Sequence, residues 1–369
     1  MPDKTERTRC ATLVRSVVAT LALSFSPGPA QAEVQSAGNG NGAQLPGADA
    51  LASLKANLRP IDFQRVSVDP GLTDRYFRGY GLDLAPGGHT FGTFDSSGYT
   101  LAAHAFRPPA PRATVILMHG YLDHAGSHAT TIAHLLARGY AVAAYDQPGH
   151  GLSSGQRASI GDFQDYTRIF RDFLALCRTH MPRPCHVLAH STGASVVIDY
   201  LLSGKGDDLG QVVLVSPLVH SAQWGTSTTL APLLEPFVDN VPRVFRDNTS
   251  DKRYAEFLRR DPLQHRSTSL EWFDALVEWN RRIESYPLNP RPVAIVQGDQ
   301  DSVVDWRYNL AFLRTRFPMA RVEMIAGGRH QLLNEAPAMR AEVLRIVDDE
   351  LNVVTPPGPP RRVPDPPRR

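Results

Sequence analysis

The sequence predicts an α/β protein: an open, mostly parallel, eight-stranded sheet with helices on both faces and a helical cap inserted late in the chain. Three observations carry this. Between residues 60 and 352, short β-rich apolar runs alternate with segments of helical periodicity. Most of the later runs are continuous rather than alternating (VILM, AVAAY, HVLA, VVLV, VAIV), as strands covered on both faces read. One connection, about seventy residues long, far exceeds an ordinary αβ link and carries helical patterns of its own.

In chain order, Lys4, Arg7 and Arg9 open a positive start, followed by an apolar stretch over 16–25 that Arg15 borders. Pro27 and Pro29 break it, and Ala30-Gln31-Ala32 has the small-x-small form of a cleavage site. Residues 1–32 are therefore expected to be a signal peptide, removed near Ala32 on export. Residues 33–59 follow as a flexible linker, on the composition of 36–47 (SAGNGNGAQLPG). The folded domain is expected over 60–354, with strands at 89–94, 100–106, 114–118, 140–145, 185–189, 212–215, 292–296 and 321–325. Helices are expected at 128–137, 165–176, 307–316 and 338–351; the second places Tyr166, Ile169, Phe170 and Phe173 on one face. The cap is expected over 218–289, where Leu230, Leu233, Leu234, Phe237, Val238 and Val241 form one apolar stripe and Trp272, Ala275, Leu276, Trp279 and Ile283 another. Such stripes either line an acyl tunnel or pack the cap on itself. The last fifteen residues, 355–369, hold seven Pro and four Arg and are expected to be a disordered tail.

Composition excludes several classes. With 42% hydrophobic and 21% charged residues among 369, the chain is neither collagen-like nor wholly disordered. A formal net charge of +2 gives no basic field for nucleic acid. Three Cys exclude a small disulfide scaffold. Export would leave Cys177 and Cys185, either bonded to each other or as two buried free thiols; both remain open.

The strongest local signal is the run Cys185-His-Val-Leu-Ala-His-Ser-Thr-Gly-Ala194: a buried strand enters a small-x-Ser-x-Gly turn and then a helical pattern (ASVVIDYLL). Such a turn exposes Ser191 Oγ at a helix N-terminus, at the cost of a strained backbone. A serine hydroxyl needs a base, and the base an orienting acid; in this sheet type both follow the serine, acid first. Asp301 stands at the end of one later strand and His330 after the next. Ser191 is thus read as nucleophile, Asp301 as acid and His330 as base, with Asp305 and then Asp299 as rivals to Asp301. The negative charge of a tetrahedral intermediate needs two backbone N–H donors. Thr192, following the nucleophile, is one; Tyr121, in the His119-Gly120-Tyr121 loop after an earlier strand, is the other. His119 is expected to hold that loop rather than react.

Together these residues resemble the α/β-hydrolase superfamily, and within it the monoacylglycerol lipase and lysophospholipase group that shares the serine aminopeptidase-like heading. The resembling stretches are His119-Gly120-Tyr121, Asp146-Gln-Pro-Gly-His-Gly-Leu-Ser-Ser-Gly155, Ala189-His-Ser-Thr-Gly193, Gln297-Gly-Asp-Gln-Asp301 with Val304-Asp305, Gly328-Arg-His-Gln-Leu-Leu-Asn-Glu335 and Asn248-Thr-Ser-Asp-Lys-Arg-Tyr254. Ala189 stands where Gly is commoner, and Pro148 where Arg is frequent. The resemblance implies an α/β-hydrolase fold and hydrolysis of carboxylic acyl esters through an acyl-enzyme, with no cofactor and no metal. The only partner it implies is a small acyl ester, with transient contact to a membrane or lipid surface. His124 and His128 are four apart, but no carboxylate spacing around them suggests zinc. Two alternatives are an exported aminopeptidase, whose cap would need a carboxylate such as Glu235, Glu271 or Glu278 to hold a substrate ammonium, and a binding protein that has lost turnover.

Overall fold

The computed structural model describes residues 44–63, 71–84, 88–206, 208–243 and 248–353. In chain order they form α1 (Ala48–Asn57), α2 (Leu72–Tyr80), β1 (His89–Ser96), β2 (Tyr99–Phe106), β3 (Ala113–Met118), α3 (Ala129–Ala137), β4 (Tyr140–Tyr145), α4 (Phe163–His180), β5 (Cys185–His190), α5 (Thr192–Leu202) and β6 (Val212–Val215). The series continues with α6 (Trp224–Leu234), β7 (Asn240–Pro242), α7 (Lys252–Arg260), β8 (Ser267–Ser269), α8 (Leu270–Ile283), β9 (Ala294–Gly298), α9 (Trp306–Arg316), β10 (Arg321–Ile325) and α10 (Pro337–Leu351).

Eight strands make one sheet in the order β1-β2-β4-β3-β5-β6-β9-β10. The β1/β2 and β2/β4 pairs are antiparallel and the other five are parallel. Alternate side chains divide the core between the two faces. Ile116, Met118, Val187, Ala189, Leu214 and Ile295 pack with α4, α5 and α8. Val115, Leu117, Leu188, Val213 and Val296 pack with α2, α3 and α10. The continuous apolar runs are therefore apolar because both faces are covered. The chain leaves β3 toward β4 on one side and leaves β5 toward β6 on the other, so the carboxyl ends of adjacent β3 and β5 open a crevice where the order reverses.

Between β6 and β9 the chain carries α6, α7, α8 and the short β7/β8 ribbon. Trp279 and Ile283 of α8 are fully buried, and the Trp279 indole donates to Asp199 of α5 at 3.0 Å. The first stripe of this region behaves differently. Helix α6 ends at Leu234, and Leu230, Leu233 and Phe237 are 42%, 64% and 40% exposed. These three neither line a tunnel nor pack the segment on itself.

The linker expectation for 33–59 is corrected over its second half. Residues 48–57 form α1, whose Leu51 and Leu54 are buried against the second core face. Beyond α1 the chain lies along the outer edge of β1: Thr93 N donates to Arg59 O and Ile61 N to Thr93 O, both at 2.8 Å. Gly92 permits this, because a methyl there would stand 2.6 Å from Arg59 O. The ordered domain thus begins before residue 60. The expected signal peptide, residues 1–32, and the Pro/Arg-rich stretch 355–369 lie outside the described residues. Cys177 and Cys185 are both buried free thiols.

Candidate active site

Strand β5 delivers Ser191 into a turn with φ 52° and ψ −116°, a conformation that costs a non-glycine residue of order 1–3 kcal/mol. The surroundings over-determine it. Ser191 N donates to Val215 O at 3.0 Å, while its carbonyl accepts from Ser195 N at 3.1 Å and Leu218 N at 3.3 Å. Gly193 is required, since a methyl there would lie 2.6 Å from His119 O.

Three side chains from three strand ends meet here. Ser191 Oγ lies 3.0 Å from His330 Nε2, and His330 Nδ1 donates to Asp301 Oδ2 at 2.8 Å. Gly298 and Gly328 allow the loops after β9 and β10 to close on each other; a methyl on Gly298 would meet Gly328 O at 2.2 Å. The other oxygen of Asp301 accepts from Val303 N at 2.8 Å and Val304 N at 3.1 Å, and Gln297 Nε2 donates to Oδ2 at 3.2 Å. Burial, the largest influence on Asp301, pushes its carboxyl up; the His330 ring and the two amides outweigh it and hold it below the ordinary aspartate value. The rival carboxylates are engaged elsewhere. Asp305 caps α9 through Tyr308 N at 3.2 Å, and Asp299 accepts from Gly327 N at 2.8 Å. All three members of the constellation are at most 7% exposed.

The expected oxyanion donors lie on either side of the crevice. Thr192 is the first residue of α5, where helical N–H groups point outward and the helix dipole favours negative charge. Across from it, Gly120 brings the β3 loop against the elbow: a methyl there would fall 3.0 Å from Ser191 Cβ and 2.9 Å from His190 Nδ1. Tyr121 follows directly. His119 holds this loop. Its Nδ1 donates to Gly120 O at 2.8 Å, and its Nε2 accepts from Gln147 N at 2.9 Å. Both bonds suit a neutral ring, and burial lowers the His119 pKa.

Several residues beyond the reacting three shape the site. His190 donates from Nε2 to His330 O at 3.0 Å, and burial, then the neighbouring His330, lower its pKa to about 3. Asp146 organises the Pro-Gly-His-Gly loop, accepting from Ala125 N and Leu152 N at 2.8 Å each. Gly151 is needed there, because a methyl would collide with the Asp146 carboxylate at 2.0 Å. Glu335 accepts from Arg329 N at 2.9 Å and Ser250 N at 2.5 Å, joining the histidine loop to the segment before α7. Asp261, at the end of α7, accepts from Tyr80 Oη at 2.6 Å, Leu263 N at 2.9 Å and His124 Nε2 at 2.7 Å. His128 lies 3.2 Å from Asp123. His124 and His128 thus each face a carboxylate within this polar network, and among the described residues no His/Cys/Asp/Glu group is arranged to hold a metal.

A cavity of about 880 Å³ lies between α6, α8 and the loop at Gln156 and Gly161. Glu235, Asp239, Glu271, Asp274 and Glu278 line it; Ser191, Asp301 and His330 do not. Burial first, then adjacent Glu235, raise the Asp274 pKa. Chemically, the strand-end constellation can move a proton from a hydroxyl to an imidazole held by a carboxylate.

Comparison with known proteins bears on this geometry. A family model described as "Serine aminopeptidase, S33" matches residues 109–337. A monoacylglycerol lipase of Mycolicibacterium smegmatis is 31% identical over 153 residues, 41% of this chain, which spans only 52% of that relative. A monoglyceride lipase of Mus musculus is 27% identical over 266 residues, covering 69% of this chain and 87% of the relative. A probable lysophospholipase of Haemophilus influenzae is 26% identical, covering 68% and 87%. Among solved structures, a soluble variant of the Saccharomyces cerevisiae monoglyceride lipase, with a substrate analogue, has TM-score 0.61 at 21% identity, covering 70% of this chain and 94% of that one. The Paleococcus ferrophilus monoacylglycerol lipase has TM-score 0.59 at 21% identity, covering 68% and 98%. At that identity the likeness speaks to the fold alone, which is the α/β-hydrolase fold.

Proposed function

The chain belongs to the serine aminopeptidase S33 family of α/β-hydrolases, and from that premise we propose that it is a serine hydrolase of acyl-lipid esters, of the monoacylglycerol or lysophospholipid type. The observation that carries the reading is the unbroken chain from Ser191 Oγ through His330 to Asp301, at 3.0 and 2.8 Å. Ser191 Oγ attacks the acyl carbon as its proton passes to His330 Nε2, and Asp301 steadies the imidazolium. The carbonyl oxygen becomes an oxyanion facing the Thr192 and Tyr121 amides, each worth about 3–4 kcal/mol. Collapse expels the alcohol, which takes the proton from Nε2 and leaves the acyl group on Ser191. Water, deprotonated by the same nitrogen, then releases the acid.

The names of the relatives support the choice of acyl ester. The exposed Leu230, Leu233 and Phe237 suit transient contact with a lipid surface, and the amino-terminal pattern suits export with cleavage near Ala32. The acid-lined cavity favours a second reading, in which the substrate carries an ammonium group and the bond cut is an aminoacyl amide.

Mass spectrometry of the exported protein after a fluorophosphonate probe tests the first reading. The label is expected on Ser191 and the mature terminus near residue 33. Ser191→Ala should lower turnover of nitrophenyl esters at least about 10⁴-fold. Absence of both labelling and ester turnover would refute the ester-hydrolase reading; aminoacyl amides cleaved with esters ignored would establish the second.

A further inference from the structure

The side chain of Tyr121 reaches away from the crevice and into the cap. Its hydroxyl donates to Ala158 O at 2.7 Å and accepts from Ser269 N at 3.1 Å. Its ring stacks on Trp272 with centroids 3.7 Å apart and planes 15° from parallel. Ser269 is itself fixed, capping α8 through Trp272 N at 3.3 Å and meeting Ser159 Oγ at 2.9 Å. The first turn of α8 and the end of β8 therefore grip the residue read above as the second oxyanion donor.

We propose that the cap sets the second oxyanion donor, with Ser269 and Trp272 acting through the Tyr121 side chain as positioning residues for the Tyr121 amide. The inference rests on the serine-hydrolase reading. The donor N–H shares one planar peptide with the Gly120 carbonyl, so the two point in opposite directions. That carbonyl is held by His119 Nδ1 at 2.8 Å and by Asp123 N at 3.3 Å. Gly120 lacks the Cβ that would restrict rotation of this peptide, and Leu122, next along, sits at φ 62°, a left-handed conformation costly for a leucine. One end of the peptide is thus anchored by the sheet side of the molecule, the other by a tyrosine held in the cap. If the cap-side anchor is lost, the amide is free to swing off the position where the oxyanion forms.

The test uses p-nitrophenyl acetate, whose acyl group is too short to depend on an acyl-binding cap, together with an aryl trifluoromethyl ketone, which forms a tetrahedral adduct at the serine. Tyr121→Phe keeps the stacked ring and removes both hydroxyl bonds; Trp272→Leu removes the stack; Trp272→Phe restores an aromatic face. Complete loss of one such donor lowers kcat by about 10²–10³-fold, so partial misplacement in Tyr121→Phe and Trp272→Leu is expected to lower kcat roughly tenfold. KM should be unchanged, ketone affinity should fall in parallel, and Trp272→Phe should recover most of the loss. If the wild-type protein turns the ester over and both Tyr121→Phe and Trp272→Leu keep kcat and ketone affinity within twofold, the inference is overturned and the hydrolase reading stands. The inference also fails if the loss lies wholly in KM. A wild-type protein with no turnover and no probe labelling removes the hydrolase reading first, and this inference with it.

Discussion

Asp261 is where the cap and the body of the molecule share a single buried carboxylate, and its removal should be felt as lost stability. Its side chain is fully buried, as is that of His124. Truncation in Asp261→Ala leaves the Tyr80 hydroxyl, the Leu263 amide and His124 Nε2 without their acceptor. Each orphaned buried donor costs about 1–3 kcal/mol, and breaking a buried pair about 3–5 kcal/mol; because the three share one site, a total near 4 kcal/mol is expected. Asp261→Asn is the sharper probe. Its carbonyl can keep Tyr80 and Leu263, but its NH₂ then faces His124 Nε2–H, donor against donor. The ring cannot escape by changing tautomer, because Nδ1 already accepts from Gly126 N at 3.1 Å. A cost of about 2–3 kcal/mol follows, below that of alanine. In urea unfolding, with a slope near 3 kcal/mol per molar, the midpoint should drop by about 1.3 M for alanine and somewhat under 1 M for asparagine. Two variants within about 1 kcal/mol of the wild type, or asparagine as costly as alanine, would refute this account of the cap's attachment.

Other expectations follow from the same geometry. In Asp301→Asn, the amide oxygen should stay with Val303 N and Val304 N and turn the NH₂ toward His330. The ring is then driven to the tautomer that cannot accept from Ser191, so kcat should fall about 10⁴-fold with little change in KM, read by ester turnover. Gly120→Ala should push the β3 loop off His190 and Ser191 and lower kcat at least tenfold or so, while urea stability changes far less. The buried pair His89 and His104, 2.9 Å apart, is held neutral by burial, with His104 pushed down to about 4. Because the folded values lie below the ordinary 6.5, their contribution is intact above pH 6.5 and is lost as pH falls toward 4. His104 alone then accounts for about 3 kcal/mol across that window. Urea midpoints measured at several pH values should show the slope, and replacing both histidines with Phe should reduce it by this pair's share, leaving that of other buried histidines such as His190.

The strands of the sheet were legible because burial on both faces writes continuous apolar runs. The main displacement is at β9, expected over 292–296 and observed at Ala294–Gly298; Pro292 lacks the N–H that a strand interior uses. Helix α1 escaped because only Leu51 and Leu54 of its ten residues are buried, behind a Gly- and Asn-rich stretch. Helix α2 did leave a trace in Tyr76, Phe77, Tyr80 and the left-handed Gly81 that ends it, and so did α7 in Asp251, Tyr254, Phe257 and Leu258. The reacting side chains were readable since each follows a strand end: Ser191 and Asp301 follow the buried β5 and β9, and His330 follows β10, of which only Ile325 is buried. The Tyr121 anchorage was not, because Ser269 lies 148 residues away and no periodicity links the two. The apolar stripe at Leu230 misled in the opposite direction: its spacing is that of a buried face, yet half of it meets solvent.

The segment at Arg59 to Ile61 has a further role as a guard. A sheet of this kind ends in two strands with unpaired peptide groups, each a template onto which another polypeptide can crystallise. At β10 the guard is charge, with Arg321 and Glu323 set along an exposed rim. At β1 it is the chain itself, laid beside Thr93 where a side chain on Gly92 would have kept it off. Shortening the protein to begin at residue 62, two residues past the boundary at 60 that composition invites, would strip that margin bare. Such a shortened protein is expected to form oligomers by light scattering, even with every reacting group still in place.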